Sequence, residues 1–119
     1  MIVSFGEVLM DCLPANNLIG GAPFNVAINL KRMGNTVEFI SKIGKDEFGQ
    51  LIFNLATKEN IEKSIQRSDQ LKTGYVTVDF VKKEPKYTIH DNVAWQNIET
   101  KKTSVIDYLI FGSLATFKE

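Results

Sequence analysis

The hydrophobic residues between positions 1 and 70 follow two alternating spacings. Short apolar runs rich in β-branched residues are separated by stretches in which apolar residues recur every three or four positions. These patterns predict buried strands at 1–5, 36–43 and, more weakly, 61–67, with helices between them. Because the order is strand, helix, strand, helix, strand, we expect right-handed crossovers and a mostly parallel sheet.

The two predicted helices have clear end signals. Pro23 suits the first helical position, where its missing N–H costs nothing, and Gly34 suits the C-terminal cap. Asp46 can cap the second helix with its carboxylate. One apolar face comprises Val26, Ala27, Leu30 and Met33 in the first helix, and Phe48, Leu51, Ile52 and Leu55 in the second.

The spacing changes after residue 70. Side chains alternate in polarity over 73–81 and 86–91, and the polar stretch 82–85 between them predicts a turn, so two antiparallel strands with one wet face are expected. Earlier in the chain, 7–13 is extended and carries Asp11, whereas 14–19 contains two asparagines and is typical of a loop. The apolar run 104–111 predicts a further central strand.

The charge balance and the cysteine count of the chain argue against several classes of function. The 119 residues include 14 Lys and Arg against 14 Asp and Glu, with a pI of about 6.6 and no run of like charge. This balance argues against nucleic-acid and membrane-surface partners and favours a small neutral ligand. The single cysteine, Cys12, cannot form an internal disulfide, and the sequence shows no signal-peptide pattern and no apolar run of membrane-spanning length, so we expect a cytoplasmic protein.

The stretch GGAPFNVA at 20–27 places two glycines directly before the first helix and an amide, Asn25, in its first turn. Glycine allows backbone angles and close ligand approach that a Cβ forbids, and the free N–H groups of a helix start suit hydroxyl oxygens. Each residue also has an ordinary interpretation: the glycines as a tight turn, Asn25 as part of a solvated stripe with Asn29, and Asp11 as a surface carboxylate.

This stretch is one of six motifs that follow each other along the chain. They are Gly6-Glu7 leading to Asp11, GGAPFNVA at 20–27, KIGKDEFG at 42–49, LKTGYVTV at 71–78, YTIHDNVAW at 87–95 and FGSLA at 111–115. In this order they resemble the ribokinase-like (PfkB) carbohydrate kinases, and most of all the fructokinase branch. The resemblance covers essentially the whole chain.

The resemblance implies an α/β fold: a partial Rossmann-like, mostly parallel sheet with flanking helices and a small antiparallel β lid. We expect residues 1–119 to form a single truncated domain whose lid segments lie at about 8–14 and 73–92. It also implies that Asp11 accepts hydrogen bonds from sugar hydroxyls, that Gly20 and Gly21 form the hinge and the sugar-facing backbone, and that Asn25 contacts another hydroxyl.

Two further side chains have open interpretations. His90 occupies a lid position where some members of the family have an arginine that contacts the sugar, although an exposed strand histidine is the simpler explanation. Trp95 is expected to be a packing anchor rather than a sugar platform.

The sequence departs from the family pattern in three places. Phe24 replaces a small residue, and Pro23 stands where the ribose-specific branch has lysine, which disfavours ribose as the substrate. The largest departure is that the Gly-Ala-Gly-Asp motif, which supplies the family's anion hole and catalytic base, has no match in this chain. The complete family enzyme uses ATP and Mg²⁺, but no catalytic residue, metal ligand or cofactor is assigned to this chain, and we expect it to be inactive as a kinase by itself.

Several partners and functions follow as expectations. The first expected function is the sugar-binding half of a fructokinase-like kinase. Such a chain is expected to self-associate through its lid or an exposed sheet edge. It would also pair with a complementary C-terminal half if one exists. The alternative is a non-catalytic interaction or oligomerisation module derived from such a kinase. A dinucleotide-binding protein is excluded because Gly20-Gly21 lacks the G-x-G-x-x-G spacing directly after a strand.

Overall fold

The computed structural model describes residues 1–100 and 106–112. The expected alternation of strands and helices is confirmed over this part of the chain. The elements are β1 (Ile2–Phe5), β2 (Leu9–Cys12), β3 (Asn17–Gly20), α1 (Ala22–Arg32), β4 (Val37–Gly44), α2 (Glu47–Lys58), β5 (Ile65–Ser68), β6 (Gly74–Val81), β7 (Glu84–Ile89) and β8 (Tyr108–Phe111), with a 3₁₀ turn at Ala94–Asn97.

The first sheet is parallel throughout, with the strand order β5-β4-β1-β8. This confirms the α/β class and the parallel sheet. The strand expected at 104–111 is present from Tyr108 onward, while residues 104 and 105 lie outside the described residues. Within the described part of the chain β8 is an edge strand rather than a central one, because only β1 pairs with it.

The second sheet is mixed, with the order β3-β2-β6-β7. The hairpin β6-β7 is antiparallel as expected, and β2 adds to it in parallel. The loop expected at 14–19 is wrong in part, because residues 17–20 form β3, antiparallel to β2. The N–H of Leu13 donates to the Asn16 carbonyl at 2.9 Å, which closes a tight turn and lets the chain pair back on β2.

Both helices contribute to one core with the first sheet. At its centre, the rings of Phe24 on α1 and Phe39 on β4 lie 5.3 Å apart in a tilted arrangement, and both are fully buried. This explains the bulky residue in the GGAPFNVA motif, since Phe24 points into the core. The other buried members of this cluster are Val8, Ala27, Ile28, Ile43, Ile52, Ala56, Ile61 and Ile65.

The predicted face of α1 is rotated in the structure. The helix starts at Ala22, so Pro23 is its second residue, and Pro23, Phe24, Ala27 and Ile28 are buried. Met33 was expected in the apolar face but is 77% exposed, because it is the C-terminal cap, beyond the last turn that packs on the sheet. Gly34 follows with a φ of +93°, as a glycine after a helix end should.

The start of α2 agrees with the sequence. The Asp46 carboxylate accepts a hydrogen bond from the Gly49 N–H at 2.8 Å and caps the helix. Its buried face is shifted from the predicted one, since Gly49, Ile52 and Ala56 are buried and Leu51 is exposed. The small residues allow close packing, which a search for large apolar side chains does not detect.

Candidate functional site

The glycine pair joins the edge of the second sheet to the start of α1. Gly20 ends β3, and Gly21 is the N-cap of α1 with a φ of +108°. A Cβ at Gly21 would lie 2.6 Å from the carbonyl oxygen of Glu7, so both the backbone angle and the space require glycine. Gly21 therefore holds the helix start directly against the segment between β1 and β2.

Asp11 lies beside this junction. Its carboxylate occupies the space over Gly20, where a Cβ would overlap Oδ2. The side chain is half-buried, and burial raises the pKa of the Asp11 carboxyl above its usual 3.8. Within the described residues no hydrogen bond is formed to this carboxylate, so its oxygens are available as acceptors beside the helix start.

Asn25 lies one turn into α1. Its backbone N–H donates to the Gly21 carbonyl at 3.0 Å, and its side chain is exposed. The structure thus brings Asp11 against Gly20 and links both to Asn25 through Gly21 and one helical turn. Cα–Cβ bonds on a helix tilt toward its N-terminus, so the Asn25 side chain leaves the backbone on the side of the glycine pair.

His90 belongs to the opposite face of the second sheet. Residues paired in register share a face, so Asp11 shares its face with Leu18 and Val76. His90 instead stacks on Tyr75, with ring centroids 4.1 Å apart, and its Nε2 is 2.8 Å from Thr77 Oγ1. The fold does not bring His90 together with Asp11.

Glu7 is a residue of this region that sequence reasoning left without a role. Its side chain is only 4% exposed, and Oε2 has no hydrogen-bond partner among the described residues. A Cβ at Gly112 would lie 2.6 Å from Oε2, so the carboxylate is packed against the end of β8. Its place in the Gly6-Glu7 motif, at the carboxyl end of a buried strand, was the available signal.

Trp95 has the packing role expected for it. The side chain is 5% exposed, and its ring fills the space where a Cβ on Gly74 would stand. It therefore fixes the 3₁₀ turn against the first residue of β6.

In residues 1–100 and 106–112, no three His, Cys, Asp or Glu side chains gather to hold a metal ion. No helix in that part of the chain is long and apolar enough to cross a membrane.

Comparison with known proteins identifies the fold that carries this site. The model of the pfkB family carbohydrate kinases matches residues 1–109. The chain belongs to the pfkB family of carbohydrate kinases. Its fold class, a parallel sheet with two helices and a second mixed sheet, corresponds to the N-terminal part of these kinases.

Sugar kinases are among the relatives that the chain resembles. The uncharacterized sugar kinase PH1459 of Pyrococcus horikoshii is 33% identical over 110 residues, which cover 82% of this chain and 36% of that protein. Fructokinase-2 of Zea mays is 34% identical over 73 residues, or 51% of this chain and 22% of the maize protein. The chain therefore spans about a third or less of the length of these relatives.

Solved structures that resemble the chain are also sugar kinases. PH1459 in complex with ATP superposes with a TM-score of 0.75 at 32% identity, covering 83% of this chain and 37% of that one. The fructokinase of Xylella fastidiosa with bound ATP gives a TM-score of 0.72 at 30% identity, covering 79% of this chain and 31% of that one. The solved structures that resemble the chain thus include a sugar kinase and a fructokinase crystallised with ATP.

Proposed function

We propose that this chain is the sugar-binding part of an ATP-dependent, fructokinase-like carbohydrate kinase. The observation that carries the proposal is the contact between the Asp11 carboxylate and Gly20, directly before the first turn of α1. The similarity to fructokinases supports fructose as the first sugar to test. The cytoplasm remains the predicted compartment.

The chemistry of these groups suits a polyol. A sugar hydroxyl both donates and accepts hydrogen bonds, so it needs acceptors and donors close together. The Asp11 carboxylate supplies acceptors, the free N–H groups in the first turn of α1 supply donors, and the Asn25 carboxamide supplies both. We assign sugar contacts to Asp11, Gly20, Gly21 and Asn25, and leave His90 as a proposed contact that requires movement of the second sheet.

The starts of the two helices do not favour a nucleotide phosphate. Free N–H groups and the helix dipole attract a phosphate to a helix start, and a carboxylate beside that start repels it. The start of α1 lies beside the carboxylates of Asp11 and Glu7, and the start of α2 is capped by Asp46. We therefore propose that ATP, Mg²⁺ and the catalytic base are held by a part of the kinase outside this sequence. The sequence itself covers 36% of the Pyrococcus relative.

This division of roles predicts that the chain has no kinase activity of its own. Purified chain incubated with ATP, Mg²⁺ and fructose should form no sugar phosphate above a protein-free control. Formation of fructose phosphate at an enzyme-like rate would contradict the proposal, because positioning and charge stabilisation supply most of the rate in phosphoryl transfer.

Fructose-dependent thermal stabilisation tests the sugar-binding role. A ligand that binds only the folded chain raises its unfolding temperature as ligand concentration increases. Fructose should raise the unfolding temperature of the wild-type chain, and Asp11→Asn should reduce the rise. Ribose, disfavoured by Pro23, serves as the comparison sugar. A temperature that does not change at any fructose concentration would favour the alternative, a non-catalytic interaction module.

Exposed apolar side chains favour self-association alongside sugar binding. On the edge strand β8, Tyr108, Leu109 and Phe111 are exposed, and on the second sheet Leu18, Phe80, Tyr87 and Ile89 are exposed. Such surfaces commonly mark contacts with another chain. We propose that the chain dimerises through the second sheet, or pairs along β8 with a second copy or a complementary segment. Light scattering that gives a monomer at micromolar concentration would contradict this.

A further inference from the structure

A polar cluster joins the base of the second sheet to the start of α2; its Thr73, Gly44 and Gly49 are buried, while Asp46 lies at the exposed edge. Asp46 Oδ1 accepts hydrogen bonds from the Thr73 hydroxyl at 2.6 Å and from the Gly49 N–H at 2.8 Å. Asp46 Oδ2 accepts a third from the Thr73 N–H at 2.8 Å. Thr73 Oγ1 in turn accepts from the Gly44 N–H at 2.9 Å. One carboxylate thus connects the end of β4, the start of α2 and the residue before β6.

The surrounding backbone is packed too closely for a side chain at either glycine of this cluster. A Cβ at Gly44 would lie 2.6 Å from both the Leu71 carbonyl oxygen and the Thr73 nitrogen. A Cβ at Gly49 would overlap the Gly44 carbonyl oxygen and come within 2.9 Å of Thr73 Oγ1. Thr73 itself is only 1% exposed. Gly44 and Gly49, the two glycines of the KIGKDEFG motif, therefore leave the space in which Asp46 contacts Thr73.

Thr73 is well placed to transmit this constraint to the second sheet. The next residue, Gly74, begins β6, which pairs with both β2 and β7. On the other side, the Lys72 carbonyl accepts a hydrogen bond from the Ala94 N–H at 2.8 Å, and the Trp95 ring packs on Gly74. The base of β6 is thus held at three consecutive residues.

We propose that Asp46 is a positioning residue, which acts through Thr73 to fix the base of β6 and so sets where the second sheet stands over the Asp11 site. Helix capping accounts for only one of its three hydrogen bonds. The expected effect on sugar affinity rests on the proposed sugar-binding function. The anchoring of β6 does not, because it can be measured on the sugar-free chain. Movement of the second sheet is then confined to segments other than the base of β6.

Hydrogen exchange of the sugar-free chain tests the anchoring. Thr73→Val removes both the hydroxyl bond to Asp46 and the acceptor of the Gly44 N–H, but retains the Thr73 backbone N–H and the α2 cap. Asp46→Asn, which keeps the Thr73–Gly44 bond, isolates the carboxylate, and Thr57→Val, which removes one exposed helical hydroxyl, is the matched control. Amide exchange in β6 and β7 should accelerate about tenfold or more in Thr73→Val, since a hydrogen bond to a charged group is lost. Exchange in α2 should change much less, and Thr57→Val should leave β6 and β7 unchanged.

Three outcomes decide the matter. Selective acceleration in β6 and β7, restored by Thr73→Ser, supports the proposal. Equal acceleration of amide exchange in α2 and the second sheet would show a merely structural role and would overturn the proposal. Unchanged exchange in both elements would overturn it as well. If Thr73→Val does not fold, Asp46→Asn takes its place, because asparagine caps a helix almost as well as aspartate.

The sugar-binding consequence is measured separately. If the wild-type chain binds fructose, Thr73→Val should weaken that affinity several-fold while Thr57→Val leaves it unchanged. A Thr73→Val affinity equal to that of the wild type would overturn the positioning role even if the exchange result holds. If the wild-type chain itself shows no fructose binding, the proposed function fails, and the exchange experiment still decides the anchoring.

Discussion

The Asp11 carboxylate occupies the space that any side chain at Gly20 would need. This places an acceptor beside the glycine pair at the mouth of α1 and makes position 20 a direct test of the site. The missing Cβ at Gly20 leaves the carboxylate its place, whereas at Gly21 glycine is required by the positive φ and the Glu7 carbonyl.

Gly20→Ala should displace the Asp11 carboxylate and weaken fructose binding by about ten- to a hundredfold, the range expected when hydrogen bonds to a charged group are lost. Titration calorimetry measures the affinity. Gly34→Ala is the control, because a Cβ there meets nothing within 4 Å although the positive φ still costs some stability. Fructose affinity retained in Gly20→Ala would place the sugar elsewhere.

The dependence of stability on pH tests the hydrogen bonds of Asp46. Burial by itself would raise the pKa of this carboxyl, but hydrogen bonds from Thr73 and Gly49, with Lys72 nearby, lower it below 3.8 overall. A depressed folded-state pKa stabilises the fold above the unfolded-state pKa, and that contribution disappears as the pH falls through the folded-state pKa.

The wild-type chain should therefore be more stable than Asp46→Asn at pH 7, and the difference should shrink as the pH falls below about 4. Urea unfolding across that range gives the comparison. Asp79→Asn, at an exposed position on β6, controls for the loss of one negative charge. A difference that stays constant down to the lowest pH would mean that the hydrogen bonds do not depend on the ionised carboxylate.

The packing of Phe24 on Phe39 predicts a large core effect. Phe24→Ala should lower the free energy of unfolding by about 3 to 5 kcal/mol, because both rings are fully buried and the cavity cannot close completely. Leu51→Ala, at an exposed position on α2, should change it by about 0.5 kcal/mol or less. Similar losses for both variants in chemical unfolding would show that Phe24 is not a core residue.

Much of the fold could be predicted from local patterns. The cap at Asp46 and the alternation along β6 are local signals; the cap agrees with the structure, and the alternation agrees as far as Val78, beyond which Phe80 is exposed. The strand β3 was missed because it is only four residues long, begins at the second of two asparagines and gains its structure by pairing with β2. Met33 was misplaced because apolar spacing does not show where a helix stops contacting the sheet.

The site was predictable where one motif carries it and less so where distant segments meet. The glycine pair and Asn25 lie within one motif, and their place at the start of α1 followed from it. Glu7 and Thr73 have roles that depend on contacts across the fold, with Gly112 and Asp46 respectively. The face on which His90 lies is set by strand register, which spacing within a single strand cannot reveal.

The most direct test of the account is a fructose titration of the ¹⁵N-labelled chain followed by NMR. The account predicts saturable shifts in the amides of Asp11, Gly20, Gly21 and Asn25, with α2 and β5 unaffected. Loss of these shifts in Asp11→Asn would confirm the role of the carboxylate. Shifts that cluster on other elements, or none at saturating fructose, would contradict the placement of a sugar at the start of α1.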